Sequence, residues 1–242
     1  MGYEYLLTGL PDLQAGMPSP ITLDALNEQF DEQLHDADRP LLEQLRMTID
    51  SPEIQEKAAL YDADDTLDTD KPVWWDDARA LLSDMDVRAT LLYEQGLKSK
   101  NAFIREWYGF NQDMNNVMVA AICRKHGFEV KKMIVGNNEV AETLRAHTTQ
   151  KDFGLNEVMD NYQPILALAT IDNLMEREKQ MDALRFEWLQ DRTMFDVFSV
   201  EQVLAYYLKV NMLLRWSQLT VEEGEQVFRS MVADMKKGIQ LQ

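Results

Sequence analysis

The sequence contains few of the residues that most often carry out catalysis. There is one cysteine, Cys123, and there are three histidines in 242 residues. A single cysteine cannot form an internal disulfide, which is typical of proteins in a reducing compartment. Three histidines that lie far apart in the sequence leave little for general acid–base catalysis. These absences argue against a disulfide-rich secreted protein and against a histidine-dependent enzyme.

Basic residues are scarce as well, above all in the first part of the chain. The protein has 42 acidic and 24 basic residues, which gives a formal charge of −18, and residues 1–100 hold 22 of the acidic but 8 of the basic ones. A surface of that sign repels phosphate backbones and anionic lipids, because both are bound through Lys and Arg. We therefore expect no nucleic-acid partner.

Long hydrophobic runs are missing too. The most apolar segment, residues 203–214, is interrupted by Lys209 and Asn211, and it is shorter than the roughly 20 residues that cross a bilayer. No apolar run with a small-residue cleavage site stands near the start, so we expect no secretory signal. We expect a cytoplasmic protein without direct membrane insertion, which reaches the inner face of the membrane only through another protein.

The familiar motifs of ligand binding are also absent. The sequence has no Gly-x-Ser-x-Gly, no phosphate-binding loop and no dinucleotide fingerprint. Glu32-Gln-Leu-His35 is a single Glu-x-x-His pair, whereas a ferritin-type metal site needs two. Residues 62–70 are acidic but lack the central Gly and the closing Glu of a calcium loop. We interpret the first as a solvated face and the second as a linker.

The remaining titratable candidates have simpler interpretations. His126 and His147 lie at predicted helix ends, where structural roles are common, and Cys123 lies in an apolar helix, where it is a small core residue. The sequence therefore predicts no catalytic residue, no metal site and no cofactor.

The hydrophobic pattern predicts a mainly α fold, a multi-helix, bundle-like body. Tyr3–Thr8 is rich in aromatic and aliphatic residues and predicts a short N-terminal strand, with which an extended segment at 128–135 could pair. We expect an acidic N-terminal helical part at 1–95, with a linker near 62–77 that holds seven Asp and one Lys, and a helical body at 96–242.

Within the body, apolar residues recur every three or four positions and predict a helix that ends at Gly127. Ser199-Val-Glu-Gln202 is a capping box that begins a helix, 200–216, with apolar residues on most sides, so we expect this helix in the core of the body. Lys209 and Arg215 interrupt it, and each should reach a carboxylate on a neighbouring helix or extend to the surface. The other predicted helices cover residues 23–34, a stretch that begins at Asp38, 78–92, 139–147, 164–190 (with a charged break at 176–180) and 220–238.

Three stretches between Phe110 and Leu144 resemble a unit in the C (or d) subunits of V/A-type rotary ATPases: Asn115-Asn116-Val117, Ile122-x-Arg124-Lys125-x-Gly127 and Glu139-x-x-Glu142-x-Leu144. Most of the chain also resembles an uncharacterised bacterial family encoded in V/A-type ATPase operons. The stretches that carry this wider resemblance are Tyr5-Leu6-Leu7-x-x-Leu10-Pro11-x-Leu13, Ile134-Val-Gly-x-Asn138-Glu-Val-Ala-Glu142, Asp152-Phe-Gly154, Glu176-Arg-Glu-Lys179 and Val203-Leu-Ala-Tyr206.

The resemblance implies a non-catalytic subunit, similar to the central-stalk socket that the C (or d) subunits form, or an assembly factor of a proton- or sodium-translocating V/A-type ATPase/ATP synthase. Its expected partners are the central shaft and the membrane ring, and it would not be an enzyme. Two alternatives stay open. One is a small helical enzyme or metal protein with a site built from dispersed carboxylates such as Glu106, Glu142 and Glu178. The other is an adaptor unrelated to the ATPase.

Overall fold

The computed structural model describes residues 2–59 and 87–218. Within these residues the chain forms helices joined by short loops and contains no strand, which confirms the predicted mainly α, multi-helix fold. In chain order the helices are α1 (Glu4–Gly9), α2 (Leu23–Gln33), α3 (Arg39–Arg46), α4 (Pro52–Ala59), α5 (helical residues 87–97), α6 (Ala102–His126), α7 (Val130–Met133), α8 (Glu139–Ala146), a 3₁₀ turn (Leu155–Glu157), α9 (Tyr162–Leu168), α10 (Leu174–Thr193) and α11 (Val200–Gln218).

The predicted N-terminal strand over Tyr3–Thr8 is wrong, because this segment enters helix α1. Tyr3, Leu6 and Leu10 are buried while Tyr5 is 87% exposed. Burial at spacings of three and four residues is the helical period, whereas a strand would have placed Tyr3 and Tyr5 on the same face. The composition favoured a strand, but the order of the apolar residues favours a helix.

The extended segment predicted at 128–135 is correct only at its ends. Glu129 and Ile134 have extended backbone, but the one-turn helix α7 occupies Val130–Met133 between them. The pairing expected between this segment and an N-terminal strand is absent from the described residues, which contain no strand.

Helix α2 covers the predicted residues 23–34 except the last, and helix α6 ends where it was predicted to end. The Thr22 hydroxyl accepts a hydrogen bond from the Ala25 amide at 3.3 Å at the start of α2, and the Asn101 side chain accepts one from the Ile104 amide at 3.1 Å at the start of α6. Gly127 ends α6 in the left-handed conformation, with φ of 75°. The predicted end at Gly127 is confirmed.

The single helix predicted over 164–190 is instead two helices, α9 and α10, separated at residues 169–173. The Thr170 hydroxyl donates to the Ala167 carbonyl at 2.7 Å, and the Asn173 side chain accepts from the Glu176 amide at 3.1 Å. Short polar side chains that bond nearby backbone in this way compete with continued helix. The charged break predicted at 176–180 lies inside α10 instead.

Helix α11 is buried on most sides, as predicted. The Ser199 hydroxyl accepts from the Gln202 amide at 3.3 Å, and the Gln202 side chain accepts from the Phe198 amide at 2.9 Å. Seven residues of α11 are buried, and at 100° per residue they cover most of its circumference. These residues are Val203, Leu204, Ala205, Tyr207, Leu208, Val210 and Leu213.

By their contacts the described residues form two compact units, which divide within α10. Unit 1 contains residues 2–38 and 182–218, and unit 2 contains residues 39–59 and 87–181. In unit 1, α11 contacts α2. In unit 2, α6 contacts α7, α8 and α9.

The predicted division into an acidic part at 1–95 and a body at 96–242 follows charge rather than contacts, and it stays a prediction. The linker at 62–77 and the final helix at 220–238 lie outside the described residues. Within the part of the chain that is described, each helix is too short or too polar to cross a membrane.

Candidate functional site

The middle of α6 carries two buried amide side chains, Gln112 and Asn116, each 3% exposed and one helical turn apart. Asn116 donates to the Val135 carbonyl at 2.8 Å and accepts from the Val135 amide at 2.9 Å. One side chain thus satisfies both backbone groups of a residue in the loop between α7 and α8. Such buried groups cost free energy when they lack partners, so this pair holds the loop in place.

Asn138 extends this polar centre from the other side of the loop. Its side-chain NH₂ donates to the Asp113 carboxylate at 2.7 Å and to the side-chain oxygen Oε1 of Gln112 at 3.3 Å. Its carbonyl oxygen accepts from the Ala141 amide at 2.9 Å, which caps α8. Burial raises the pKa of Asp113, while the hydrogen bond from Asn138 lowers it.

Arg145 of α8 closes the polar centre. One terminal nitrogen of its guanidinium donates to the carbonyls of Ile134 and Gly136 at 2.8 and 2.6 Å. Gly136 has φ of 81°, and a Cβ atom there would lie 2.3 Å from Nε2 of Gln112. This position needs glycine for its conformation and for the close approach of α6.

The polar centre consists of amides, one half-buried carboxylate and one guanidinium. Asn116, Asn138 and Arg145 bond the backbone between residues 134 and 141, and Gln112 and Asp113 bond the Asn138 side chain. Groups that are used in this way hold two helices and a loop in one arrangement.

The C-terminal end of α6 is held by Arg124. Its guanidinium donates to the carbonyls of Gln150 and Lys151 at 2.6 and 3.0 Å, and it lies 3.9 Å from the centre of the Phe153 ring. Phe153 is fully buried with φ of 56°. This bidentate contact fixes the turn that follows α8 against α6.

Beyond Arg124 the surface is basic and partly apolar. Phe128 is 65% exposed and stacks on His126, with ring centres 6.1 Å apart. Lys125 bonds the Asp172 carboxylate at 2.5 Å, and that bond lowers the pKa of Asp172. The pair is exposed, so it contributes little to stability.

The carboxylates of the alternative enzyme or metal hypothesis are not part of any group that could hold a metal ion among the described residues. Glu106 and Glu142 are exposed and Glu178 is half-buried. Within residues 2–59 and 87–218, no three His, Cys, Asp or Glu side chains form a group that could hold a metal ion. Glu32 and His35 are therefore not part of such a group either.

Cys123 and His147 lie where the sequence placed them. Cys123 is 4% exposed in α6, which confirms the prediction of a small core residue, and burial raises the pKa of its thiol. His147 is exposed at the end of α8, where its Nδ1 lies 3.0 Å from the side-chain nitrogen Nε2 of Gln150.

Unit 1 contains a cluster of charged side chains around the buried carboxylate of Asp182, and the sequence predicted a carboxylate partner for Arg215 without identifying Asp182. Asp182 is 6% exposed and accepts from Arg185 at 2.8 Å, from the Trp216 indole at 2.7 Å and from Arg215. This confirms that Arg215 reaches a carboxylate on a neighbouring helix. Lys209 has a different partner, since its ammonium lies 4.9 Å from the centre of the Phe186 ring, and burial lowers its pKa.

Gln112, Asn138 and Asp182 organise their surroundings but were not identified as doing so from the sequence. For Gln112 and Asp182 the available signal was a polar side chain at a position that the helical period assigns to the core, because a buried amide or carboxylate there needs a specific partner.

One protein-family model matches the chain, over residues 69–239, and its description is "Protein of unknown function (DUF2764)". No curated protein and no solved structure matches the chain. Because the family model spans more than two thirds of the sequence, the chain belongs to the DUF2764 family of proteins of unknown function.

Proposed function

We propose that this protein is a non-catalytic subunit, or an assembly factor, of a bacterial V/A-type ATPase/ATP synthase. The observation that carries the proposal is the structural use of the residues that resemble the C (or d) subunits. Asn116 holds the Val135 backbone, Arg124 holds the turn at 150–151, and Gly127 ends α6. They build a rigid helical unit, as expected for a shared fold element in a protein without its own reaction.

The mechanical role implied by this resemblance requires that rigidity. A socket between the central shaft and the membrane ring must transmit torque without local unfolding, and fully bonded buried polar groups favour one arrangement over others. The Asn116–Val135 pair and the Asn138 contacts supply such bonds at the centre of unit 2. In this proposal the protein lies at the inner face of the membrane, held there by the ATPase.

The experiment is affinity purification of the tagged chain from native membranes, followed by quantification of all the ATPase subunits. The control is the same purification from a strain that lacks the membrane ring. We expect near-stoichiometric ATPase subunits for a built-in subunit and substoichiometric amounts during assembly for a factor. Recovery without any of the ATPase subunits would contradict both versions.

The second measurement is ATP turnover. We expect the purified chain alone to hydrolyse no nucleotide, because its sequence has no phosphate-binding loop. Turnover that follows the chain through successive purification steps would contradict the non-catalytic assignment.

A further inference from the structure

We propose that the loop between α10 and α11 is a preformed anchor, which inserts Phe195 into an apolar pocket on a basic surface of a partner protein. The 194–198 loop has the sequence Met-Phe-Asp-Val-Phe, in which Phe198 is half-buried and the other three apolar side chains are exposed. Phe195 is 89% exposed, Val197 61% and Met194 55%. An exposed group of large apolar side chains on one loop marks an interaction site more often than chance exposure does.

The loop is held by its own hydrogen bonds. The Asp196 amide donates to the Thr193 carbonyl at 3.1 Å, and the Ser199 amide donates to the Asp196 carbonyl at 3.1 Å. The Asp196 carboxylate accepts from Arg192 at 2.8 Å. The backbone on both sides of Phe195 is therefore fixed before any partner arrives.

Phe198 shows how strongly the conformation is imposed. Its φ is 59°, in the left-handed region that a bulky side chain rarely occupies. Its amide donates to the Gln202 side chain at 2.9 Å, and its carbonyl accepts from the Tyr3 amide at 2.7 Å. Backbone strain that neighbouring contacts maintain is common where a protein presents a binding group.

The charge of unit 1, which contains the loop, indicates the chemistry of the partner. Residues 2–38 of unit 1 contain eight acidic side chains and no Lys or Arg. Of the four basic residues at 182–218, Arg185 and Arg215 bind Asp182, and Arg192 binds Asp196. The surface of unit 1 is therefore acidic, and it favours a basic protein surface over an anionic membrane or a nucleic acid.

A rigid aromatic side chain is well suited to be the central contact of such an interface. Tyr, Trp and other large anchors contribute most of the binding energy when they enter a desolvated pocket. A loop already in its bound conformation loses little entropy on association. We therefore expect Phe195 to act as the apolar centre and the acidic residues around it to act as the rim.

The first experiment places the photo-crosslinking amino acid p-benzoylphenylalanine at position 195 in the full chain in its own cells. The matched control carries it at Phe128, an aromatic residue of unit 2 that is 65% exposed. Crosslinked products are identified and mapped to single residues by mass spectrometry. We expect position 195 to crosslink one protein at an apolar surface bordered by Lys and Arg, and position 128 not to crosslink that surface.

Other outcomes at position 195 overturn the proposal. They are crosslinks to lipid, crosslinks to a second copy of this chain, crosslinks to an acidic surface, or no crosslink. The proposal does not rest on the ATPase assignment. If the crosslinked protein has the expected surface but does not belong to the ATPase, the anchor stands and the proposed function fails.

The second experiment measures affinity for the crosslinked protein once it is purified. Phe195→Ser should weaken binding by about 30-fold, the change that corresponds to a hot-spot residue, and Phe128→Ser should leave it unchanged. Equal affinity of Phe195→Ser and the parent would overturn the proposal. Because both changes are at exposed positions, we expect the circular dichroism spectrum and the Tm of each variant to match those of the parent. A weaker affinity of Phe195→Ser could then not be due to misfolding.

Discussion

At the scale of single residues, Asn116 is the most consequential side chain of unit 2. It is 3% exposed and bonds both backbone groups of Val135. Asn116→Ala leaves the amide and the carbonyl of half-buried Val135 without their partner, so it should lower the free energy of unfolding by about 1–3 kcal/mol. Urea denaturation measures this, with exposed Asn156→Ala as the control, expected within about 0.5 kcal/mol. Equal losses in the two variants would show that the amide is not a structural bond.

A Cβ atom at a glycine can cost free energy through backbone strain and through a steric clash, and Gly136 and Gly127 distinguish these two costs. Both have positive φ, 81° and 75°. A Cβ at Gly136 would lie 2.3 Å from the Gln112 side chain, whereas a Cβ at Gly127 would meet no described atom within 4 Å apart from its chain neighbours. Gly127→Ala should cost about 1 kcal/mol from backbone strain alone. Gly136→Ala should cost more, because Gln112 must also move. Thermal unfolding of the two variants compares them, and a larger loss for Gly127→Ala would refute the role of this close approach.

Tyr108 makes stability depend on alkaline pH. Its hydroxyl donates to the Gln44 carbonyl at 2.9 Å, and burial raises its pKa to about 12. An unfolded tyrosine has a pKa of about 10. Above that pH the unfolded chain releases a proton that the folded chain keeps, so the stability contributed below pH 10 is lost as pH rises towards 12.

Tyr108→Phe should therefore flatten the decline of the urea midpoint between about pH 10 and 12. Tyr5→Phe, at a position 87% exposed, is the control and should keep the slope of the parent. A slope that is unchanged in Tyr108→Phe would exclude this residue as the source.

Residue roles were harder to predict from sequence than helix positions. Gly127 was predictable as a helix end, since a glycine that follows three basic residues suits that end. The partners of Asn116 were not predictable, because Val135 lies 19 residues away and the contact depends on how α6 meets the loop after α7. Local patterns do not contain such long-range pairs.

At the scale of elements, helix α11 is the core of unit 1. Leu204 is fully buried and Leu208 is 9% exposed. Leu204→Ala or Leu208→Ala should lower the free energy of unfolding by about 2–5 kcal/mol, because each removes buried apolar volume. Leu174→Ala, at a position 61% exposed, is the control for denaturation measurements. If both core variants melted within about a degree of the parent, α11 would not be core.

The elements also show why composition alone misled at two places. Both Tyr3–Thr8 and 128–135 contain residues that strands favour. The first nevertheless enters helix α1, because its buried side chains recur at helical spacing, and the second contains helix α7 at Val130–Met133. Strand preference describes fit to a half-buried sheet surface, and the described residues contain no sheet to provide one. Helix α11, by contrast, was predictable because its capping signal and its apolar pattern agree.

At the scale of the whole molecule, the distribution of charge along the chain does not follow the division into two compact units. Residues 2–38 of unit 1 hold eight acidic and no Lys or Arg residues, whereas residues 39–59 and 87–100 of unit 2 hold five acidic and six basic ones, and the rest of the acidic excess of the first 100 residues lies outside the described residues. The boundary near residue 95 was drawn from charge, but compactness depends on which helices bury each other's apolar faces. A surface charge of this size acts on partners over distance rather than on the fold.

Salt should therefore control association with the ATPase if the proposed function holds. The chain is mixed with the isolated central-shaft subunits and the solubilised membrane ring, and association is followed between about 50 and 500 mM salt. The association rate should fall by about tenfold or more, because screening removes electrostatic steering.

Two double variants test which acidic residues cause this salt dependence. Glu28→Gln with Glu32→Gln, on the exposed side of α2, should reduce the salt dependence of the association rate. Glu53→Gln with Glu56→Gln on α4 should reduce it less, since unit 1 carries the proposed anchor. Association that is equally fast at both ends of the salt range would refute the electrostatic part of this proposal, and no association at low salt would refute the ATPase assignment itself.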